Sequence, residues 1–244
     1  MRHLREAWAL TKPAGSGRHG PLPPALLVLT VVTGVIDAFS YLFLGHVFVA
    51  NMTGNVVFIA FAAAGAPGFS LAPSILALIS FAVGALVGGR LGHLQPHHRG
   101  RLLWRATLIE ALLVLGAYGW LQAADRPLGG ISRYVLIILL GVAMGTQNAA
   151  ARRLAVPDLT TTVLTLTITG LSADGRLAGG SDSRAGRRVA STLAMFLGAA
   201  TGAVAALSVD PAASVLMAGA LLTAVTVFGT RLLHASAPWT APPQ

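Results

Sequence analysis

Two carboxylates stand inside strongly apolar sequence. Asp37 lies in T-G-V-I-D-A-F-S-Y and Glu110 in L-W-R-A-T-L-I-E-A-L-L. A charged side chain at the centre of a membrane helix costs about 2.5–3.5 kcal/mol on insertion scales, so each needs a compensating role. Asp37 would hold a proton or cation facing a central cavity, or would cap a helix start or bond Ser40 or Tyr41. Glu110 would carry a coupling proton, or would pair with an arginine, Arg105 lying a little distant on the helix.

A polar knot, Asn51-Met52-Thr53-Gly54-Asn55, is sunk in the apolar stretch Val47–Gly65. A weaker copy lies at Ala155–Leu171, where Asp158, Thr160 and Thr161 take the matching place. A helix starting at such a knot presents unpaired N–H groups and the positive end of its dipole. Asn51, Thr53, Asp158 and Thr160 are of the types that cap such starts. Gln147 and Asn148 are polar at a depth matching that of Asp37. Together Asp37, Asn51, Thr53, Gly54, Asn55, Gln147, Asn148, Asp158, Thr160 and Thr161 are the candidate substrate-binding residues. Asp37 and Glu110 are the candidate proton-coupling groups. The competing reading is that these residues only cap half-helices and bridge neighbours. Thr160, Thr161, Thr162, Thr165, Thr167 and Thr169 would form one polar stripe, but threonine also bonds its own helix backbone harmlessly.

The elements that must position these groups are apolar runs. Of the 244 residues, 55% are hydrophobic and only 10% charged, with mean hydropathy +0.72. Soluble domains carry roughly 25% charged residues. Runs near the ~20 residues that cross a bilayer fall at 24–44, 73–91, 102–121, 133–151, 189–207 and 212–233. The two knot-led segments are shorter. Residues 53–65 would reach about 20 Å as a helix, against a hydrocarbon core of ~30 Å. If both segments re-enter without crossing, the N-terminal tail, Arg90–Arg105, Arg152–Arg188 and Arg231 share one side. The turn at 65–72, Asp125–Arg133 and Asp210 take the other. That satisfies the positive-inside rule, which eight full crossings violate.

The halves match weakly in order. Phe48–Thr53 aligns with Ala155–Thr160, Gly34–Asp37 with Gly145–Asn148, and Gly84-x-x-x-Gly88 with Gly198-x-x-x-Gly202. Three crossings per half make the repeat inverted, a design of transporters and channels with broken helices near the midplane. The expected fold is therefore an all-α integral membrane protein with six transmembrane helices and two re-entrant half-helices. Residues 1–23 form a basic cytoplasmic tail with a short surface helix at Leu4–Leu10. One membrane domain covers 24–233, in halves 24–122 and 133–233, and 234–244 form a second cytoplasmic tail. Gly84, Gly88, Gly198 and Gly202 suit close helix packing, within the chain or between copies.

Several classes fall away. The net charge of +9 lies between apolar runs, with no basic face of interleaved aromatics for nucleic acid. There is no cysteine, hence no disulfide or thiolate chemistry. His93, His97 and His98 have no carboxylate or thiol beside them and read as a solvated loop, so no metal is expected. No nucleophile elbow or phosphate loop is present, and neither an enzyme nor a cofactor is expected.

The runs T-G-V-I-D-A-F-S-Y-L and F-V-A-N-M-T-G-N-V-V, with the later G-x-x-M-G-x-Q-N-A-A-A-R-R, resemble the YoaK-like family of bacterial membrane proteins, a domain-of-unknown-function family. The resemblance covers nearly all of 25–233. It implies a multi-pass inner-membrane protein of about six spans and no assigned activity. That family's second threonine segment carries a glycine, which Thr160-Thr161-Thr162 lacks. Two functions remain. One is a transporter or channel for a small polar or anionic solute, proton-coupled through Asp37 or Glu110. The other is a non-transporting scaffold or sensor with a dry centre. They part on whether water reaches Asp37 and Asn51. The lipid bilayer is the expected partner in either case.

Overall fold

The computed structural model describes residues 19–125, 128–159, 161, 164–174, 179 and 185–241. Among these the chain forms eight α-helices: α1 Leu22–Phe43, α2 Met52–Ala63, α3 Leu71–Leu94, α4 Arg99–Ala123, α5 Gly130–Leu154, α6 Leu164–Ala173, α7 Ala185–Ser208 and α8 Pro211–Thr230. All but α2 and α6 are long and apolar enough to cross a membrane. These six are the six expected spans. They overrun the apolar runs because charged turns continue the same backbone hydrogen bonding: Arg99 and Arg101 open α4, Arg187 and Arg188 open α7, and Arg152 and Arg153 close α5. The helix expected at Leu4–Leu10, and Thr160 and Thr162, lie outside the described residues.

Local chemistry sets the helix starts. Pro23 occupies the first turn of α1, where a missing N–H costs no hydrogen bond. The Asp210 carboxylate accepts the Ala212 N–H at 2.7 Å, with Pro211 as the first residue of α8. The His98 ring accepts the Arg101 N–H at 3.1 Å to cap α4.

The centre is a bundle of α1, α4, α5 and α8. Its core holds Val32, Ile36 and Phe39 of α1, Leu103 and Val114 of α4, Ile137, Leu140 and Met144 of α5, and Val215 and Leu222 of α8. Outside it, α3 packs on α5 and α7 on α1, and these are the two most extensive helix contacts. The half-length α2 leans on α3, and α6 on α7. The outward faces are apolar: Ile79, Val83 and Leu86 of α3 and Leu193, Phe196 and Val204 of α7 are all exposed. Water would not tolerate such faces, and lipid does.

Both outer contacts are glycine seams. A Cβ at Gly84 or Gly88 of α3 would lie under 3.0 Å from the carbonyl oxygen of Val142 or Thr146 on α5, and one at Gly145 of α5 would strike the Phe81 carbonyl of α3. On the other side, a Cβ at Gly198 or Gly202 of α7 would overlap the backbone of Val31 or Val35 on α1, and one at Gly34 of α1 the Met195 carbonyl of α7. Backbones this close gain dispersion contact that needs no hydrophobic driving force, as a membrane interior requires. Gly84, Gly88, Gly198 and Gly202 thereby lie against neighbours in their own chain.

The described residues nearest the two termini meet at one end of the bundle. The buried Arg99 guanidinium donates to the carbonyls of Leu154, at the end of α5, and of Trp239 (3.3 Å), and lies 3.3 Å from His19. Arg101 donates to the Leu233 carbonyl at 3.1 Å, just past α8. The opposite end holds Gly45, after α1, against Arg133 at the start of α5.

Candidate functional site

The polar knot is organised by Asp37. Beyond α1 the chain turns back, and its next strand of backbone lies against Asp37, two helical turns short of the end of α1. The Val49 and Ala50 N–H groups donate to Asp37 Oδ1 at 3.0 and 2.9 Å. The Asn51 N–H donates to Oδ2 at 3.1 Å, and the Asn51 side-chain amide donates to the same oxygen. Four donors therefore meet one buried carboxylate. This is a structural role of the kind weighed for Asp37, although the backbone donors belong to the three residues just before α2 and not to α2 itself. Ser40 bonds the Asp37 backbone carbonyl and not the carboxylate.

Asn51 stands at the start of α2, yet its side chain caps nothing there. That corrects the expectation of a local cap: the side chain is held by its Nδ2 donation to the Asp37 carboxylate, and its Oδ1 accepts no α2 N–H. Asn55, fully buried, clips the same loop. Its Oδ1 accepts the Phe48 N–H at 2.9 Å and its Nδ2 donates to the Phe48 carbonyl. Gly54 is glycine because a Cβ would lie 2.7 Å from the Phe48 ring. Thr53 faces outward and is exposed.

The aromatic rings fix where α2 leads. Phe48 stacks on Tyr41 with centroids 5.1 Å apart, Phe58 of α2 sits 6.0 Å from Tyr41, and Phe69 lies 5.3 Å from Phe58. His46, just past α1, bonds the Gly68 carbonyl at 3.2 Å. The turn after α2 is thus beside the turn after α1.

The second short helix is held differently. Asp158 has φ +64° and Thr161 φ +64°, both in the left-handed region, which marks a tightly bent entry. Arg188 of α7 pairs with Asp158 at 3.0 Å and with Asp174 at 2.9 Å, reaching from one end of α6 to the other across Gly170. Arg187 donates to the Pro157 carbonyl at 3.3 Å. The four described threonines do not share one face: Thr161 and Thr167 are buried, and Thr165 and Thr169 exposed.

At the centre, α1 meets α5 through Gln147, whose Nε2 donates to Thr33 Oγ1 at 2.7 Å. Thr33 passes its own proton to the Leu29 carbonyl at 2.9 Å. Gln147 Oε1 is buried with no partner among the described residues. Asn148 donates to the Met144 carbonyl at 2.9 Å. Glu110 is fully buried on α4 with both oxygens unpartnered among the described residues, so the pairing with an arginine is not made. The structure thus joins Asp37, Asn51 and Asn55 in one cluster and leaves Glu110, Asp158 and Thr161 apart from it. Sequence reasoning missed Arg99, Arg188 and Thr33. The few acids of an otherwise basic loop, Asp158 and Asp174 among them, were the available signal for Arg188. Among the described residues no three metal-ligating side chains come together.

A bundle of six long apolar helices, with apolar outer faces and its polar groups turned inward, defines an integral multi-pass membrane protein. Comparison with known proteins is more particular. The chain belongs to the DUF1275 family, described as a protein of unknown function, which matches residues 25–228. It is 34% identical over 160 residues to the UPF0700 transmembrane protein YoaK of Bacillus subtilis (strain 168), an alignment covering 62% of this chain and 67% of that protein. No solved structure matches the chain.

Proposed function

We propose that this protein is a transporter for a small polar solute, built as an inverted repeat with two re-entrant half-helices, α2 and α6. One observation carries the reading: the pattern of helix contacts is unchanged when α1–α4 are exchanged for α5–α8. The α1–α7 contact becomes α5–α3, α1–α8 becomes α5–α4, α2–α3 becomes α6–α7, and α4–α8 returns to itself. The seams match residue by residue, Val31, Gly34 and Val35 standing for Val142, Gly145 and Thr146, and Gly84 and Gly88 for Gly198 and Gly202. Three crossings in each half give the halves opposite directions. Such halves rock against one another in alternating-access transporters.

The re-entrant reading of α2 rests on its 12 residues, about 18 Å of helix, and on the bond between His46 and Gly68. The solute path runs between α1 and α5, which touch only lightly, past Thr33 and Gln147. There the buried Gln147 Oε1 offers an acceptor to a donor-bearing solute. A neutral polar solute is favoured over an anionic one at this entry, because the N–H groups of Val49, Ala50 and Asn51, just before α2, already bond Asp37. The saturation of Asp37 is the one observation that favours the alternative, a non-transporting scaffold.

The protein is placed in the bacterial inner membrane with both termini cytoplasmic. Among the described residues Arg90, Arg99, Arg101, Arg105, Arg152, Arg153, Arg187, Arg188 and Arg231 lie toward the end that holds His19 and Trp239, and Arg133 alone lies toward the other. The test uses the absence of native cysteine. Single cysteines at Thr33 and Gln147 should react with a small water-soluble thiol reagent, while one at Ile137 in the packed core should not. Silence at both polar positions in folded protein removes the transport reading and leaves the scaffold.

A further inference from the structure

The two intramembrane carboxylates sit in opposite surroundings. Asp37 receives four hydrogen-bond donors. Glu110 receives none from the described residues and has no solvent exposure. An ionised carboxylate needs water, donors or a cation; without them a low-dielectric interior favours the neutral acid strongly.

Among the described residues no cation faces Glu110. Its helix, α4, packs chiefly on α5 and α8, with a lighter contact to α3. Helix α8 contains no ionisable residue. Those of α5, Arg133, Tyr134, Arg152 and Arg153, lie in its first and last two turns, and Arg90 and His93 of α3 lie in its last two. On α4 itself Arg99 and Arg101 lie in the first turn, Tyr118 two turns beyond Glu110, and Arg105 is exposed on another flank.

The repeat sharpens the contrast. The buried faces of α4 and α8 superpose at one register, Ala106 on Ala218 and Val114 on Thr226, and this sets Glu110 where α8 carries the fully buried Leu222. The carboxyl group thus takes the place that a leucine side chain holds in α8.

We propose that Glu110 is a proton-binding site, a carboxylic acid held neutral between α4 and its neighbours. It loses its proton only when that seam opens to water: the O–H bond breaks, the proton passes to water and a carboxylate remains. Its use in coupling rests on the transporter reading, but the site itself does not.

The test is infrared spectroscopy of the purified protein in lipid at neutral pH. The protonated acid gives a carbonyl band above the amide region, which the ionised surface carboxylates lack. The band is expected in the wild type and in D37N and absent in E110Q. A wild-type spectrum without it overturns the proposal, as does a band unchanged in E110Q. Should E110Q fail to fold, E110L takes its place, since leucine fits the slot that Leu222 fills in α8. E110L is expected to fold, lose the band and melt higher than wild type; a lower melting temperature refutes the slot. No solute is needed, so the two readings fail separately. A band without solute movement leaves the site standing, and solute movement without a band removes it.

Discussion

Replacing Asp37 decides between a structural and a solute-facing carboxylate, because the two readings predict opposite signs. In D37A the Val49 and Ala50 N–H groups, both on buried residues, lose their acceptor. A buried donor left unpaired costs about 1–3 kcal/mol. The half-buried Asn51 loses two bonds that water replaces in part. The expected loss is about 3–5 kcal/mol, the range for removing one partner of a buried charge-assisted group. D37N retains one carbonyl oxygen for Val49 and Ala50 but turns an NH2 group on the Asn51 donors, so it should lose about 1–2 kcal/mol. N51A removes only the side-chain donor and should lose about 1 kcal/mol. The assay is unfolding of purified protein by sodium dodecyl sulfate in mixed micelles, followed by far-ultraviolet circular dichroism. If Asp37 instead faced a water-filled path, D37N would shed a charge whose insertion costs about 2.5–3.5 kcal/mol and would be neutral or stabilising. A D37N protein at least as stable as wild type refutes the capping argument.

Three further outcomes follow from the same geometry. N55A strips both the N–H and the carbonyl of Phe48 of their partner, so stability should fall by about 1–3 kcal/mol and the Phe48 amide should exchange with deuterium much faster than in wild type. G84L should abolish the folded state or lower its melting temperature by many degrees, because the new side chain meets the Val142 backbone, whereas G89L, with nothing near its Cβ position, should melt like wild type. Single cysteines at Ala66 and His97 test the topology in intact cells: an impermeant thiol reagent should label Ala66 and not His97, and the reverse would mean that α2 crosses fully.

The long helices were legible because crossing a membrane demands length and hydrophobicity, and both are additive along the chain. The six spans, the two short segments and the arginine asymmetry therefore come from composition alone. The glycine pairs were legible as close-packing positions, yet not as to whose backbone they meet. Gly84 reads as a dimer motif as readily as a seam within one chain, and only the fold brings Val142 against it. The knot was legible as a cluster, but its assignment as local caps was not right for Asn51. Spacing within a segment reports what a side chain can reach on its own helix. It says nothing of a carboxylate arriving from another to hold that side chain by its NH2 group.

The same distinction separates the two carboxylates. From sequence Asp37 and Glu110 are alike, each a single acid in an apolar run. Sequence determined that both would be buried in a membrane helix, because the flanking residues admit no other place. Tertiary structure alone decided that the chain folds back to give Asp37 four donors and leaves Glu110 with none from the described residues. Hydrophobicity is carried by each residue and survives reading in one dimension. The partner of a buried polar group is a property of two segments and exists only once they have met.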